Sequence, residues 1–571
     1  MKGAADPCLI SSCLRNAFHQ RIPHFLPNPR RLSSSPANSS AENLSVTQVV
    51  TNSLTRTKEA ISMANPPVLR WYSCGPTVYD SAHLGHAYSF MQFDLIRRVL
   101  EDYRGLNVVQ VMNITDIDDK IIHKANQLKM DWREVARNYE DEFREEMRSL
   151  GIKPPTITAR ITSFLPQIVG FTQKLIDSGM AYVAPSGSVY FSQEKYGRAS
   201  KFIKSSTPEG FDKSEKKSGA DFALWKGAKA GEPSWPVPFS PVPGRPGWHI
   251  ECSTVASHFF GSSVDLHSGG IDLMFPHHEN EEAQCCAHHG VDNWAGQWIH
   301  AGHLLAPNAT KMSKSDRNFI TIRSYLERST SDQFRMYCMR HHYRSNCTFD
   351  DEEIRISSDL ISKFTNFCNL VDAYLNGVVP ASCSSVEEPE ILQQIRETER
   401  QIDSCLADDF SYPFALQALS ELVSICHRQL APLRKSTVTS ATSYSAMAAA
   451  ANLTETFFRS AGLVLPTKRN AEARTATAAG SSPEAMALPK VMDAVLDFRS
   501  VVRGAGLSMR KETPALSKEM LGACDGLRDR LQRSGVRVKD LGGGSTWELE
   551  QQVPVKVSAE TGSKVGSVKS P

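Results

Sequence analysis

A run of apolar segments between residues 68 and 112 constrains the fold of this chain more than any other feature of the sequence. Val68–Ser73 and Val108–Met112 are apolar runs typical of buried strands, and apolar residues at helical spacing predict a helix over about residues 87–103 between them. This strand–helix–strand order is the βαβ unit of a parallel sheet and predicts an α/β fold. Ligands bind at the carboxyl ends of such strands, so we expect the loops Cys74–His86 and Asn113–Asp119 to line a site.

The rest of the chain is predicted from periodicity and composition. Residues 120–180 and the residues beyond about 350 show helical patterns, whereas residues 230–247 are rich in proline and glycine and are expected to form a loop. Residues 466–490 have the low complexity of a linker, and we expect residues 551–571 to be a disordered tail.

Composition excludes several classes of protein. Of the 571 residues, 41% are hydrophobic and 22% are charged, which is a globular balance and not that of a disordered or fibrous chain. No apolar stretch approaches the roughly 18 residues of a membrane span, so membrane insertion is not expected. The 64 basic and 62 acidic residues exclude a uniformly basic nucleic-acid coat, so any such contact must come from local patches. The 13 cysteines are scattered and do not form the dense framework of a small secreted domain.

The first 40 residues differ from the rest in charge. They contain five basic residues against one acid, Asp6, and a serine-rich run over residues 33–40. This composition is typical of mitochondrial or plastid transit peptides, so we predict that residues 1–40 are such a segment. A disordered N-terminal tail is the alternative.

Two short motifs carry chemistry suited to a nucleotide. His83-Leu84-Gly85-His86 lies between a predicted strand and a predicted helix, where glycine permits close approach of a phosphate and two imidazoles can stabilise developing charge. Lys311-Met312-Ser313-Lys314-Ser315 offers two ammonium groups and two hydroxyls that can clamp a polyphosphate. Taken alone, each has a simpler interpretation, the first as a polar helix cap and the second as a solvated basic loop.

A third set of residues can hold a metal. Cys74 directly follows the first strand, Cys252 lies far along the chain, and His277 and Glu281 are four residues apart on one face of a predicted helix. Two thiolates, an imidazole and a carboxylate are a credible set of zinc ligands, drawn here from distant loops and not from a self-contained zinc finger. Buried cysteines and a surface His–Glu pair are the simpler interpretation.

In this order and about 225 residues apart, the two nucleotide motifs are the paired motifs of class I aminoacyl-tRNA synthetases. Together with the metal set they resemble the cysteinyl-tRNA synthetases, and this resemblance covers roughly residues 50–550. It rests further on the segments Cys74–Asp80, Asn113–Ile122, Asp221–Lys226, Gly244–Cys252 and Asp272–Glu281. Trp71–Cys74, His267–Asp272 and the N-terminal segment are most similar to the animal mitochondrial form of the family.

The resemblance implies a role for individual residues. One zinc ion per chain is expected on Cys74, Cys252, His277 and Glu281, and the thiolate of the substrate cysteine is expected to bind it. The residues expected around the cysteine are Gly75, Thr115, Trp248, His267 and Asp272. Those expected around ATP, which would arrive with Mg²⁺, are His83, Gly85, His86 and Lys314. The expected catalytic residues are His83, His86, Lys311 and Lys314.

The resemblance also implies a reaction, partners and a domain order. L-cysteine would be activated by ATP to cysteinyl-adenylate and transferred to the 3′ end of tRNA(Cys) in the mitochondrial matrix. The expected fold is a Rossmann-like, parallel-sheet catalytic domain followed by an α-helical anticodon-binding region. The expected segments are a catalytic domain at 41–325 with an insertion at about 150–220, a stem-contact region at 326–380, a helical tRNA-binding bundle at 381–465 and an anticodon-reading module at 491–550.

Two alternatives and one side activity remain open from sequence. Ligases that attach cysteine to an amino-sugar share the catalytic core but lack a C-terminal region like the one here, and a catalytically inactive, zinc-stabilised tRNA-binding protein is the second alternative. Some relatives are implied to make cysteine persulfide with pyridoxal phosphate through a Lys-Ile-Ile-Lys element. This chain has Lys120-Ile121-Ile122-His123, with Lys124 one place later, and this departure weakens that expectation. An extended loop at Phe239–Pro243 and Asp316 after the second motif also depart from the family pattern.

Overall fold

The structure is a computed structural model, and it describes most of the chain. The described residues are 47–202, 215–307, 312, 319–376, 388–430, 444–468, 470, 483–534, 536–541 and 544–549. The predicted transit peptide, both lysines of the second nucleotide motif, Asp316 and the predicted C-terminal tail lie outside them.

The strands and helices of these residues are numbered along the chain. The strands are β1 Val49–Asn52, β2 Thr57–Ala60, β3 Val68–Ser73, β4 Asn107–Ile114, β5 Ile157–Arg160, β6 Ala181–Val183, β7 Val189–Phe191, β8 Phe222–Gly227, β9 Trp235–Val237, β10 Ser240–Pro246, β11 Val264–Gly270, β12 Ala295–Ala301, β13 Leu304–Leu305, β14 Cys347–Thr348, β15 Val536–Leu541 and β16 Gly544–Leu549. The helices are α1 Leu84–Arg98, α2 Asp119–Leu128, α3 Trp132–Ser149, α4 Leu165–Asp177, α5 Gln193–Tyr196, α6 Trp248–Phe260, α7 Glu279–His289, α8 Ile322–Leu326, α9 Ser331–Met339, α10 Asp351–Leu375, α11 Glu388–Ala407, α12 Tyr412–Leu430, α13 Tyr444–Ser460, α14 Pro483–Ser508 and α15 Pro514–Arg533.

The predicted βαβ unit lies at the centre of a five-stranded parallel sheet. Its strand order is β12–β11–β3–β4–β5, and each neighbouring pair is parallel. The carboxyl ends of β3, β4 and β11 therefore open at one edge, where the loops after Ser73 and Ile114 begin. This arrangement confirms the predicted Rossmann-like α/β fold with a helical C-terminal region.

Both faces of the central sheet are buried, which explains why its strands read as continuous apolar runs. Trp71 and Met112 belong to a core shared with α1, whereas the neighbouring Tyr72 and Val111 belong to a core shared with α6 and α7. The core on the α1 side continues into helices α10–α13. The C-terminal α14, α15 and β15–β16 hairpin have a small core of their own.

Three segments differ from the sequence prediction. β5 interrupts the residues 120–180 predicted as helical, and α14 begins at Pro483, inside the predicted linker. β9 and β10 lie in residues 230–247, which were predicted to form a loop. β10 tolerates Pro241 and Pro243 because its pairing with β9 is interrupted by a bulge between Ser240 and Gly244. At Gly244 a Cβ would lie 2.3 Å from the Lys226 carbonyl oxygen, so only glycine fits there.

A buried ion pair joins the catalytic sheet to the helical region. The Asp94 carboxylate on α1 accepts hydrogen bonds from Arg98 at 2.8 Å and from Arg335 on α9 at 2.5 Å. Arg335 also donates to the carbonyl oxygens of Gly151 at 2.8 Å and Ala461 at 3.1 Å. One guanidinium therefore ties together α1, the end of α3 and the end of α13.

A second junction lies at the turn between α11 and α12. Asp409 adopts the left-handed backbone region with a φ of 60°, and its carboxylate accepts hydrogen bonds from the Thr51 amide at 2.9 Å and the Tyr343 hydroxyl at 2.7 Å. Its own amide donates to the Val49 carbonyl at 3.0 Å. β1, the first strand of the described residues, is thus fixed to the helical bundle. No helix of the described residues has both the length and the apolarity needed to cross a membrane.

The Asp94–Arg335 pair makes a stability prediction. Asp94→Asn keeps the shape but leaves the buried Arg335 without its counterion, so we expect the free energy of unfolding to fall by about 3–5 kcal/mol in urea denaturation of the full chain. Glu352→Gln, which breaks an exposed pair with Arg355, is the matched control and should change it by less than about 0.5 kcal/mol. Equal effects of the two substitutions would contradict this assignment.

The same pair predicts how the stability of the protein changes with pH. Burial opposes the charge of Asp94, but Arg335 and Arg98 outweigh it and lower its pKa. Its stabilising contribution is therefore complete above the ordinary value near 4 and is lost as the pH falls through the lowered folded value. The Asp94→Asn variant should accordingly lose less stability than the wild type on acidification through that range.

Candidate active site

Four side chains from three separate segments converge at the carboxyl edge of the sheet. Cys74 follows β3, Cys252 lies on α6, His277 precedes α7 and Glu281 lies in its first turn. One ligand atom from each lies within 4.8 Å of all the others, and all four residues are buried. The Cys74 and Cys252 sulfurs are 3.7 Å apart, and His277 Nε2 lies 2.8 Å from Glu281 Oε1. The structure therefore brings together the predicted zinc ligands.

Neighbouring histidines orient two of these four side chains. His277 Nδ1 lies 3.0 Å from His249 Nδ1, which turns its Nε2 toward Cys74 and Glu281. His267 Nε2 lies 3.0 Å from Glu281 Oε2, so the other carboxylate oxygen faces the cluster. Such outer hydrogen bonds fix the orientation of metal ligands in proteins.

A second set of four overlaps the first. Cys74 and Glu281 are also within 4.8 Å of ligand atoms on His267 and His278. His278 is already hydrogen-bonded through Nδ1 to His300 Nε2 at 2.7 Å. Cys252 belongs to the first set only, so a substitution at Cys252 can decide which set holds a metal.

The charges of the predicted ligands are set by burial and by one another. Burial opposes charge on His277, but Glu281 and Cys252 raise its pKa to about 10. Burial likewise opposes the Glu281 carboxylate, yet His277 and His267 lower its pKa to about 2. Burial opposes the Cys252 thiolate, but a hydrogen bond from Cys74 and the nearby His277 lower the pKa of Cys252 to about 6. Burial raises the pKa of Cys74. A metal ion on these four ligands takes the place of the protons on Cys74 and His277.

The Asn113 side chain organises the loop beside this cluster. Its Oδ1 accepts hydrogen bonds from the Gly75 amide at 2.8 Å and the Tyr72 hydroxyl at 3.2 Å, and its Nδ2 donates to Thr115 Oγ1 at 3.1 Å. Thr115 Oγ1 also donates to the buried Glu251 at 3.2 Å. A Cβ on Gly75 would lie 1.7 Å from the Asn113 carbonyl oxygen, so this approach requires glycine.

The other residues predicted to bind cysteine lie at different depths. Trp248 begins α6, stays 38% exposed and stacks on the His277 ring at 4.3 Å. His267 is fully buried on β11 and stacks on Trp298 at 4.1 Å. Asp272 is exposed in the short 3₁₀ turn after β11 and is not part of the buried cluster.

The first nucleotide motif caps α1. The Gly85 amide donates to His83 Nδ1 at 3.1 Å, and the His83 amide lies 3.3 Å from His86 Nδ1. Because a backbone amide can only donate, both Nδ1 atoms are acceptors, and each ring carries its proton on Nε2. The two rings stack with centroids 3.9 Å apart, so they present two N–H donors side by side at a helix N-terminus. The cap and the nucleotide interpretation of this motif are therefore compatible.

The second nucleotide motif lies outside the described residues except for Met312. Met312 is buried, and its amide lies 3.4 Å from the Leu304 carbonyl. Just after the motif, the Leu84 amide donates to the Ile320 carbonyl at 2.9 Å, and Thr321 forms a bridge with His83. The chain that follows the second motif is therefore hydrogen-bonded to the first motif.

Lys120, His123 and Lys124, at the predicted pyridoxal phosphate element, line a small surface pocket with Tyr79. Lys124 is ion-paired with Asp80 at 3.4 Å. The persulfide activity stays a prediction.

Sequence reasoning gave no role to several residues of this site. Asn113, His249, His278 and His300 all contact predicted functional residues or their neighbours. Asn113 and His249 lie inside segments that carried the resemblance, and Asn113 begins the loop after the second predicted strand. Strand-end position was the available signal for Asn113, whereas the histidine contacts depend on tertiary packing.

Comparison with known proteins decides the family. The family model "tRNA synthetases class I (C) catalytic domain" matches residues 60–359. The chain is 38% identical over 525 residues to the probable mitochondrial cysteine--tRNA ligase of Xenopus tropicalis, covering 88% of this chain and 89% of that one. The chain belongs to the cysteine--tRNA ligase family. The cytoplasmic cysteine--tRNA ligase of Dictyostelium discoideum is 35% identical, covering 86% of this chain and 76% of that one. Membership makes the protein an aminoacyl-tRNA synthetase, that is, a ligase.

Solved structures support the fold of this cysteine--tRNA ligase family member. Methionyl-tRNA synthetase of Mycobacterium tuberculosis, bound by methionyl-adenylate, matches with a TM-score of 0.53 at 16% identity, over 73% of this chain and 95% of that one. A putative arginyl-tRNA synthetase from Campylobacter jejuni matches with a TM-score of 0.50 at 12% identity, over 70% of this chain and 93% of that one. These likenesses concern the fold.

The hydrogen bonds of Asn113 lead to a prediction about substrate affinity. Asn113→Ala removes the acceptor of the Gly75 amide and the donor to Thr115, so the loop beside the metal cluster loses its anchor at a cost of about 2–3 kcal/mol. We expect the KM for cysteine in ATP–pyrophosphate exchange to rise at least tenfold while the metal content of the purified protein equals that of the wild type. Asn126→Ala, an exposed position on α2, is the control. An unchanged KM would show that Asn113 does not position this loop.

Proposed function

We propose that the protein activates L-cysteine with ATP and transfers it to the 3′ end of tRNA(Cys), using a zinc ion to select the amino acid. The observation that carries this proposal is the convergence of Cys74, Cys252, His277 and Glu281 at the sheet edge from which the loop to His83 departs. We infer that an amino-acid site and a nucleotide site lie side by side at this edge.

The donor set fits zinc. Two sulfurs, an imidazole nitrogen and a carboxylate oxygen are ligands that zinc prefers, and the hydrogen bonds from His249 and His267 support their orientation. When bound, zinc supplies a soft Lewis acid that favours a thiolate over the hydroxyl of serine. A site that depends on this contact rejects serine without a separate editing step.

Residues of the chain hold the rest of the cysteine. Gly75, fixed by Asn113, and Thr115, fixed by Glu251, lie next to Cys74 at the ends of β3 and β4. Trp248 and His267 border His277 and Glu281, and Asp272 lies at the exposed rim. We assign these five residues to cysteine binding, with the reacting carboxylate directed toward the nucleotide motif.

The chain contributes charge stabilisation more than covalent chemistry to adenylate formation. The cysteine carboxylate attacks the α-phosphorus of ATP and pyrophosphate leaves. The Nε2–H groups of His83 and His86 donate to the α-phosphate as its charge develops. We assign Lys311 and Lys314 to the pyrophosphate and Mg²⁺ to ATP. Ile320, five residues after that motif, accepts a hydrogen bond from the Leu84 amide beside His83, which supports the assignment. The terminal ribose hydroxyl of the tRNA then attacks the carbonyl carbon, and AMP leaves.

The C-terminal half is assigned to tRNA binding. Helices α10–α13 would contact the tRNA body, and α14, α15 and the β15–β16 hairpin would read the anticodon through splayed bases. A cysteine ligase acting on an amino-sugar has no use for this region, and the likeness to cysteine--tRNA ligases extends over it. We place the reaction in the mitochondrial matrix, on the charge pattern of residues 1–40 and the likeness to a mitochondrial relative.

Amino-acid-dependent ATP–pyrophosphate exchange tests this function directly. We expect exchange with cysteine, loss of exchange when zinc is chelated, and at least about a hundredfold lower kcat/KM with serine. Equal exchange with serine would overturn the zinc–thiolate account. No exchange with either amino acid, in protein that still binds tRNA(Cys), would favour an inactive tRNA-binding protein.

Cys252→Ser tests the ligand set. We expect this variant to lose both zinc, measured by metal analysis of the purified protein, and cysteine-dependent exchange. Cys426→Ser, at a buried cysteine of the helical bundle, should retain both. If Cys252→Ser keeps a full equivalent of zinc, the overlapping set with His267 and His278 holds the metal.

A fusion protein tests the compartment. A fluorescent reporter carrying residues 1–45 at its N-terminus should accumulate in mitochondria of animal cells. Replacing Arg15, Arg21, Arg30 and Arg31 with glutamine should abolish this import, because the positive charge of such segments is required. A reporter with the native segment that stays in the cytosol would refute the assignment.

A further inference from the structure

A large cavity lies on the face of the central sheet opposite the metal cluster. It has a volume of about 430 Å³, between α1, α3 and the segment that leads into β5, which is within the range of small-molecule sites. Its lining includes Met112, which belongs to the core on the α1 side, whereas Cys74 and Cys252 belong to the core on the other face. None of the described residues assigned above to metal, cysteine or ATP lines this cavity, so it is distinct from that site.

The interior of this cavity is apolar. Buried side chains form much of its wall: Phe93, Met112, Ile114, Phe143 and Met147. Phe90 packs edge-on against Phe143 with ring centroids 5.2 Å apart, and two methionines give the wall adaptable shape. Such a surface binds an aliphatic or aromatic body by excluding water.

The residues around this apolar interior carry an excess of positive charge. The lining contains five cationic side chains, Arg97, Arg98, Arg144, Arg148 and Lys153. Asp94 is the one carboxylate among the lining residues, and it is already engaged by Arg98 and Arg335. Each of the five cations also has a carboxylate partner: Glu101 for Arg97 and Lys153, Asp94 for Arg98, Glu140 for Arg144 and Glu145 for Arg148. An anionic ligand therefore has to draw a cation of the lining away from such a partner.

Arg144 and Arg148 are the most exposed of these five cations. Arg148 is 73% exposed and pairs with Glu145, which is itself 65% exposed, so that contact is weak. Arg144 is 42% exposed, and its partner Glu140 also receives a 2.6 Å hydrogen bond from Arg160. Glu140 therefore remains paired if Arg144 moves.

We propose that this cavity is a binding site for an amphipathic carboxylate with an apolar body of about ten carbons. The body lies against Phe93, Phe143 and Met112, and Arg144 and Arg148 hold the carboxylate through paired N–H donors. The ligand is held without any covalent step, and the site is independent of zinc and of the nucleotide motifs.

Calorimetric titration of the full chain with decanoate tests the site. We expect saturable binding of one decanoate per chain, binding of decanol at least tenfold weaker, and no measurable binding of acetate. Decanoate should bind at least tenfold more weakly to the double variant Arg144→Ala, Arg148→Ala. Arg133→Ala is the matched control, since Arg133 is an exposed arginine of the same helix outside the cavity lining, and it should leave the affinity unchanged.

A cavity-filling variant locates the binding. Ile152 lines the cavity and is partly exposed, so Ile152→Trp should occupy the space and abolish decanoate binding while the unfolding temperature stays close to that of the wild type. The proposal is overturned by any of three results: no saturable binding of decanoate, equal affinity for decanol, or undiminished binding to both the filled and the double variant. Because cysteine-dependent exchange is not the readout, these results are distinct from any failure of the proposed aminoacylation.

Discussion

The buried pair of Asp94 and Arg335 is the contact on which the relation between the two halves of the molecule depends. It lies at less than 2% side-chain exposure, where a guanidinium without its carboxylate would be costly. Since Arg335 also reaches the carbonyl oxygens of Gly151 and Ala461, α1, which carries the first predicted nucleotide motif, is tied to the helical bundle. Asp409 provides a second connection to β1. A ligase that must bring the 3′ end of a tRNA to an adenylate needs such a fixed relation between the two regions.

Parallel strand order then places the chemistry. β3, β4 and β11 end at one edge of the sheet, so short loops from each can meet without long connections. Cys74 is held there by a 3.0 Å hydrogen bond from its amide to the Ser268 carbonyl at the end of β11. Along β3, successive side chains point to opposite faces of the sheet. Cys74, just after β3, therefore faces the core that holds the predicted metal ligands, whereas Ser73 lines the cavity on the other face.

Sequence alone predicted the parts of this structure that depend on local pattern. The βαβ unit was recognisable because β3 and β4 are buried on both faces, and the helical bundle because its apolar residues recur at helical spacing. The Pro-rich β10 was missed because proline content favours a loop, and the bulge in its pairing with β9 that accommodates Pro241 and Pro243 depends on tertiary pairing. The four predicted zinc ligands were suggested by their donor chemistry and then by the family resemblance. The roles of His249 and His300 could not be foreseen, because rings on different elements meet only after folding.

The metal cluster draws on residues as far apart in the sequence as Cys74 and Glu281. No piece of the chain that ends before Glu281 contains all four residues, so the cluster cannot form on a ribosome before residue 281 has emerged. It also cannot survive unfolding of the sheet. A polypeptide that crosses a membrane in an extended state would therefore arrive without its ion. Under the proposed import and zinc binding, metal uptake would belong to the compartment in which the protein finally folds, and the supply of zinc there would limit how much of the chain becomes competent to recognise cysteine.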